Sequence, residues 1–254
     1  MNPKPIYRHT EMKWPEFAKF VEKTDYAILP IGAIEQHGPH LPFNTDVIIA
    51  EYVAERLAQE TGALLMDSLK YAPDFSLRFY PGTVRLSDNL FTEMVVEITE
   101  SMFSHGVKTM YVMVGHHGAF TACKEAERSL LLSSQARIVN LFLPGLNEAI
   151  AKNCISKRWN ANNVHAEEFE TSCILALRPD LVDMQKAVKE YPPIDPLFGA
   201  ISIPWIDFSK SGVIGDATVA TPEKGKAILD FMVTESLKLI NYHQDELKKG
   251  RKYR

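Results

Sequence analysis

Four short apolar runs stand out along the chain, at 26–32, 63–66, 110–115 and 137–143. Each is nearly continuous rather than alternating, the pattern of parallel strands covered on both faces. Between them apolar positions recur at helical spacing. The segment 47–59 carries Ile48, Ile49, Tyr52, Val53 and Leu57 and stops at Gly62; 89–104 carries Leu90, Met94, Val95, Ile98 and Met102 and ends at a capping Gly106; 121–134 follows the third run. Thr221-Pro222-Glu223 opens a last helix towards Leu247, with a capping hydroxyl, a proline at the first helical position and an acid in the first turn. Strand and helix alternate, which predicts an α/β fold: a single domain with a parallel β-sheet flanked by helices and right-handed crossovers. No repeat or linker interrupts it, so residues 1–254 read as one domain. The exception is 186–215, rich in Pro and Gly, which is expected to form a long irregular excursion over the site or at a subunit contact.

Composition narrows the function classes. With 254 residues, 46% of them apolar, the chain can bury a full core. A net charge of -4 and the lack of a basic face argue against nucleic acid as a partner; the basic tail from Lys248 to Arg254 reads as solvated chain. No apolar run approaches the roughly 20 residues that span a bilayer, and no apolar stretch follows the first basic residues, so neither membrane nor secretion is expected. Three widely spaced cysteines, Cys123, Cys154 and Cys173, suit a reducing cytoplasm and read as buried filler.

The chemistry gathers where strands end, the edge at which α/β sheets bind ligands. After the first strand come Glu35-Gln36-His37-Gly38-Pro39-His40 and then Asp46; after the third come Gly115-His116-His117-Gly118. Glu35 and His37 are two apart, so in extended chain they point to one side. Carboxylate with imidazole is a ligand set for Zn, Mn or Fe. Asp46 at a helix start sits where the dipole favours an anion, and its two oxygens could bridge two cations. Taken singly, Glu35 reads as a loop ion pair, the histidines as structural and Asp46 as a helix cap; their meeting at one sheet edge favours a metal site. A second stretch, His165-Ala166-Glu167-Glu168-Phe169-Glu170, enters an apolar helix. There His165 with Glu168 and Glu167 with Glu170 are expected to share helical faces, and a glutamate beside a buried helix needs a partner such as a metal.

From Glu35 to Pro42, followed by Thr45-Asp46, the chain resembles the opening signature of the creatininase (creatinine amidohydrolase) family. Further stretches match in order: Tyr80-Pro81-Gly82-Thr83, Gly115-His116, His165-Ala166-Glu167 with Glu170-Thr171-Ser172, and Ser211 to Gly215 leading to Ala220 to Gly225. The resemblance implies a two-metal hydrolase, commonly a homohexamer. Glu35, His37, Asp46 and His116 match metal ligands, with Asp46 bridging, and His165 matches a histidine placed for proton transfer. It further implies that a metal-bound hydroxide attacks a carbonyl of a small cyclic substrate, with Zn or Mn as the two divalent ions.

The departures are specific. Where creatininase has a tyrosine and a ligand glutamate, this chain has His117 and Gly118; Glu170 is the candidate replacement, as ligand and as part of the catalytic set. Where it has a Trp-Asp pair, Ala161 and Asn162 stand. Ser76-Leu77 replaces a Glu-His pair common in relatives. Creatinine as substrate is therefore open against other rings, such as an oxidised inositol or a formamide-bearing pyrimidine. A non-catalytic metal-binding protein is the reading from a different class.

Overall fold

The computed structural model describes residues 4–159 and 165–252. A five-stranded parallel sheet runs through its middle. In chain order its strands are β1 (Tyr7–Arg8), β2 (Tyr26–Ile31), β3 (Leu64–Leu65), β6 (Thr109–Val114) and β7 (Arg137–Phe142); β4 (Ala72–Pro73) and β5 (Arg85–Leu86) form a separate parallel pair, and β8 (Lys189–Glu190) and β9 (Gly215–Asp216) an antiparallel one. The spatial order is β1-β3-β2-β6-β7, and β2 and β6 pair along their full lengths from Tyr26–Thr109 to Ile31–Val114.

Helices cover both faces, which is why the central runs are continuously apolar. On one face α2 (Thr45–Thr61), α5 (Leu146–Asn153), α6 (Glu168–Leu177) and α7 (Pro222–Lys248) pack on Ile28, Tyr111, Met113 and Leu141. On the other, α1 (Trp14–Val21), α3 (Asp88–Ser104) and α4 (His117–Ser133) pack on Ala27, Leu29, Met110, Val112 and Ile138. Successive strand residues serve opposite layers, as the pleat requires. Among the described residues no helix is long and apolar enough to cross a membrane.

The element order follows the expectation, and the differences lie at boundaries. The run 63–66 pairs only at Leu64–Leu65, between β1 and β2, and β1 itself has too few residues to leave a pattern. The helix expected over 121–134 begins at His117, because His116, in extended conformation, already serves as its cap. The start of α2 is two residues earlier than the 47–59 reading, which takes Asp46 into the first turn.

That first turn lies directly against the ends of β2 and β6. A Cβ built on Gly115 would sit 2.7 Å from the Asp46 carbonyl oxygen and 3.1 Å from Ala50 Cβ, so only a bare α-carbon lets the helix approach this closely. Gly115→Ala should therefore lower unfolding stability by about 1–3 kcal/mol, the cost of overpacking, as read by urea denaturation. Stability equal to wild type would show that the helix can step back freely.

Candidate metal centre

Three loop or helix starts converge at the carboxyl ends of β2 and β6. Glu35 and His37 leave β2, Asp46 comes from the first turn of α2, and His116 follows β6. All four are buried, at 1–6% exposure. Asp46 lies between two imidazoles: His37 Nε2 is 3.2 Å from Oδ1 and His116 Nδ1 is 3.0 Å from Oδ2. Glu35 Oε1 is 3.4 Å from His116 Nδ1 and 3.7 Å from His37 Nε2, and Glu170 Oε2 is 3.9 Å from His37 Nε2. Three ligand groups result among the described residues, Glu35 with His37 and His165, Glu35 with Asp46 and His116, and Asp46 with His37 and Glu170; within each, the donor atoms all lie within 4.8 Å of one another.

Backbone carbonyls decide which ring nitrogens face inward. Pro73 O lies 2.8 Å from His116 Nε2, and Glu35 O lies 3.1 Å from His37 Nδ1. A carbonyl only accepts, so those nitrogens carry the protons. In neutral rings, His116 Nδ1 and His37 Nε2 then turn lone pairs towards carboxylates. Lone pair against carboxylate is repulsive unless a cation lies between, and Glu35 Oε2 is buried with no protein partner. The donor set therefore fits divalent cations of the Zn or Mn kind.

Without a cation, protons take that place. Burial opposes a charged His37, but Asp46, Glu170 and Glu35 outweigh it and raise its pKa to about 10. Burial likewise opposes charge on His116, yet Glu35 and Asp46 hold it well above its ordinary value. Burial would raise Asp46, and the two imidazoles hold it well below the usual carboxylate range. Burial pushes Glu35 up to about 8 against the pull of His116, and Glu170 up to about 7 against that of His37.

His165 lies outside α6, bridged in extended conformation to Ile214. Its Nε2 donates to the Gln36 carbonyl at 2.7 Å, leaving Nδ1 3.8 Å from Glu35 Oε1. Its ring packs on His37, with centroids 4.4 Å apart, and edge-on to Trp205. Burial and the nearby His37 lower its pKa to about 3. The shared helical faces expected for this segment do not form, because α6 begins only at Glu168. Glu167 is its cap, accepting from Phe169 N at 2.8 Å. Glu168 turns away to Lys224, at 2.5 Å, and to the amides of Ile155 and Ser156. Only Glu170 reaches the centre. It is held by the N–H of Ala166, whose φ of 51° is a strained value for a residue with a side chain.

Gly118 leaves no room for a side chain as the centre is packed here. A Cβ on it would lie 2.3 Å from Pro73 O and 2.4 Å from His116 Nε2, the two atoms of the bond that orients His116. His40 bonds Thr171 Oγ1 at 2.8 Å and His117 packs edge-on against Phe142; neither bonds a candidate ligand. Ala161 and Asn162 lie outside the described residues. Sequence reading missed the orienting carbonyls of Pro73 and Gln36, which no side-chain pattern marks. A cavity of about 850 Å³ opens from the centre. Its walls include Phe198, Ile201, Ile203 and Trp205, so the irregular 186–215 excursion covers the site.

The creatinine amidohydrolase family model matches residues 10–240. The chain belongs to the creatininase family. Creatinine amidohydrolase of Pseudomonas putida is 28% identical over 88% of this chain and 92% of its own. The 3-dehydro-scyllo-inosose hydrolase of Thermotoga maritima is 25% identical over 91% and 82%, and a mycofactocin precursor peptide peptidase of Mycolicibacterium smegmatis 28% over 81% and 80%. A crystal structure of creatinine amidohydrolase superposes with a TM-score of 0.83 at 27% identity, covering 96% of this chain and 98% of that one. A mutant creatininase of Zn–Zn type gives 0.82 at 28%, covering 93% and 97%, and a Mn creatininase 0.81 at 27%, covering 94% and 99%. The creatininase-like fold is thus established, and with it membership of a hydrolase family.

Two predictions follow from the electrostatics and packing. Folded-state pKa values raised to about 8 for Glu35 and about 10 for His37 mean that the metal-free fold binds more protons than the unfolded chain above pH 6.5. Stability from these groups is present at lower pH and is lost as pH rises. His165, lowered to about 3, contributes in the opposite sense and mostly below 6.5. In chelator, the unfolding midpoint should fall from pH 6.5 to 8, and saturating zinc should flatten that fall, as read by thermal scans. Gly118→Glu should lower the melting temperature without raising metal content; a variant as stable as wild type with more bound metal would refute the steric argument.

Proposed function

We propose that the chain, read as one domain over 1–254, is a metal-dependent amidohydrolase that opens a small cyclic amide of the creatinine kind. Glu35, Asp46 and His116 would hold one divalent cation and His37, Asp46 and Glu170 a second, with Asp46 bridging. The observation that carries this reading is the pair of imidazole nitrogens facing buried carboxylates around Asp46. Bound zinc or manganese would supply Lewis acidity and lower the pKa of water at the site.

The protein's own groups handle the proton. With Nε2–H held by Gln36 O, His165 turns Nδ1 towards Glu35, 3.8 Å away, and offers it as the acceptor. It takes a proton from the attacking water and returns it to the leaving nitrogen, acting first as base and then as acid. Trp205 and His37 clamp its ring, and Phe198, Ile203 and Trp205 shield the centre from bulk water.

A second reading changes the ring. Among the relatives is a hydrolase of an inosose ring, and the cavity of about 850 Å³ has room for either ring. The family resemblance also supports a homohexamer, and the unpaired cysteines a reducing cytoplasm. Metal analysis should find two ions per chain, with both lost in Asp46→Ala. His165→Ala should retain both ions and lose about 10²-fold or more in turnover of the ring that wild type opens. Full metal content in Asp46→Ala would end the bridging assignment.

A further inference from the structure

His165 is mounted in the same way as the two histidines that flank Asp46. His116 and His37 each have a backbone carbonyl behind one ring nitrogen and a carboxylate in front of the other. In His165, Nε2 donates to Gln36 O at 2.7 Å and Nδ1 faces Glu35 Oε1 at 3.8 Å. A carbonyl that fixes one nitrogen and aims the lone pair of the other is the usual support of a metal-bound imidazole. His37 Nε2 stands 3.7 Å from the same Glu35 oxygen, and the donor atoms of Glu35, His37 and His165 all lie within 4.8 Å of one another. Donors around a tetrahedral zinc are about 3.3–3.5 Å apart, so small side-chain shifts close this set on a cation. Glu35 Oε2 is buried without a protein partner, which leaves the carboxylate an oxygen beyond the one facing the rings. Glu35 and His165 both line the cavity, the route by which a cation enters.

His37 belongs both to this group and to the one with Asp46 and Glu170, and only its Nε2 is available, because Glu35 O holds Nδ1–H. One lone pair binds one cation, so the two positions exclude each other. They also differ in chemistry. Asp46, His37 and Glu170 offer two carboxylates and one imidazole, a set suited to manganese, whereas Glu35, His37 and His165 offer two imidazoles and one carboxylate, a set suited to zinc. We propose that the second cation has two alternative seats chosen by the identity of the metal, and that zinc takes the seat in which His165 is a ligand. The inference rests on the proposed function in one respect: a cation on Nδ1 occupies the lone pair that would accept the proton. The zinc seat is therefore a resting form and the manganese seat the working one.

The test reads the affinity of the second ion by titration calorimetry in wild type, His165→Ala and Glu170→Gln. His165→Ala still binds two zinc ions, because the seat with Glu170 remains, but the second should bind at least about tenfold more weakly, while manganese is unaffected. Glu170→Gln should do the reverse, weakening the second manganese and sparing zinc. Crystals of wild type need no substitution: anomalous diffraction at the zinc edge should show an ion bonded to His165 Nδ1, and at the manganese edge one bonded to Glu170. Zinc seated on Asp46 and Glu170, a second-zinc affinity unmoved in His165→Ala, or a single ion per chain with either metal would overturn the inference. Zinc found on His165 in a protein that opens no ring with manganese would instead sink the proposed function and leave the two seats standing.

Discussion

The centre depends on one buried carboxylate held between two imidazoles. Asp46 turns one oxygen to His37 and the other to His116, and each ring is fixed from behind by a backbone carbonyl. A carboxylate so deeply buried is tolerable only with positive charge on both sides. Protons can provide that charge, and so can divalent cations. Because they compete for the same lone pairs, cation binding must release protons and depend on pH. Folding, protonation and the chemistry of the site are therefore one coupled equilibrium.

That carboxylate is placed by close packing rather than by its own loop. Helix α2 starts hard against the ends of β2 and β6, where Gly115 leaves room for the Asp46 backbone. The same economy of space operates at Gly118, where the Pro73 carbonyl occupies what a side chain would need. As packed here, a side chain from α4 would meet the Pro73 carbonyl, and Glu170 comes from α6 to within 3.9 Å of His37 Nε2.

The sheet and its helices hold the centre, while irregular chain completes it. Trp205 and Phe198 come from the Pro- and Gly-rich excursion, and Gln36, in the loop after β2, holds His165. The loop after β2, the start of α2 and the end of β6 thus carry the charged groups, and the later excursion lines the cavity. This division suits a family whose members act on a cyclic amide, an inosose and a peptide.

Much was legible in the chain itself. Continuous apolar runs determined the parallel sheet, since strands covered on both faces admit few polar residues. Glu35, His37, Asp46 and His116 were legible as a group because strand ends and a helix start place them at one edge. The tertiary structure alone decided the rest: that α6 begins at Glu168, so His165 stands outside it and Glu168 faces Lys224; that Pro73 and Gln36 orient the rings; and that Glu35 keeps an oxygen buried without a protein partner. The reason is physical. Periodicity records which side of an element is buried, whereas carbonyl direction, helix start and an unfilled hydrogen bond are set by contacts between segments far apart in the chain.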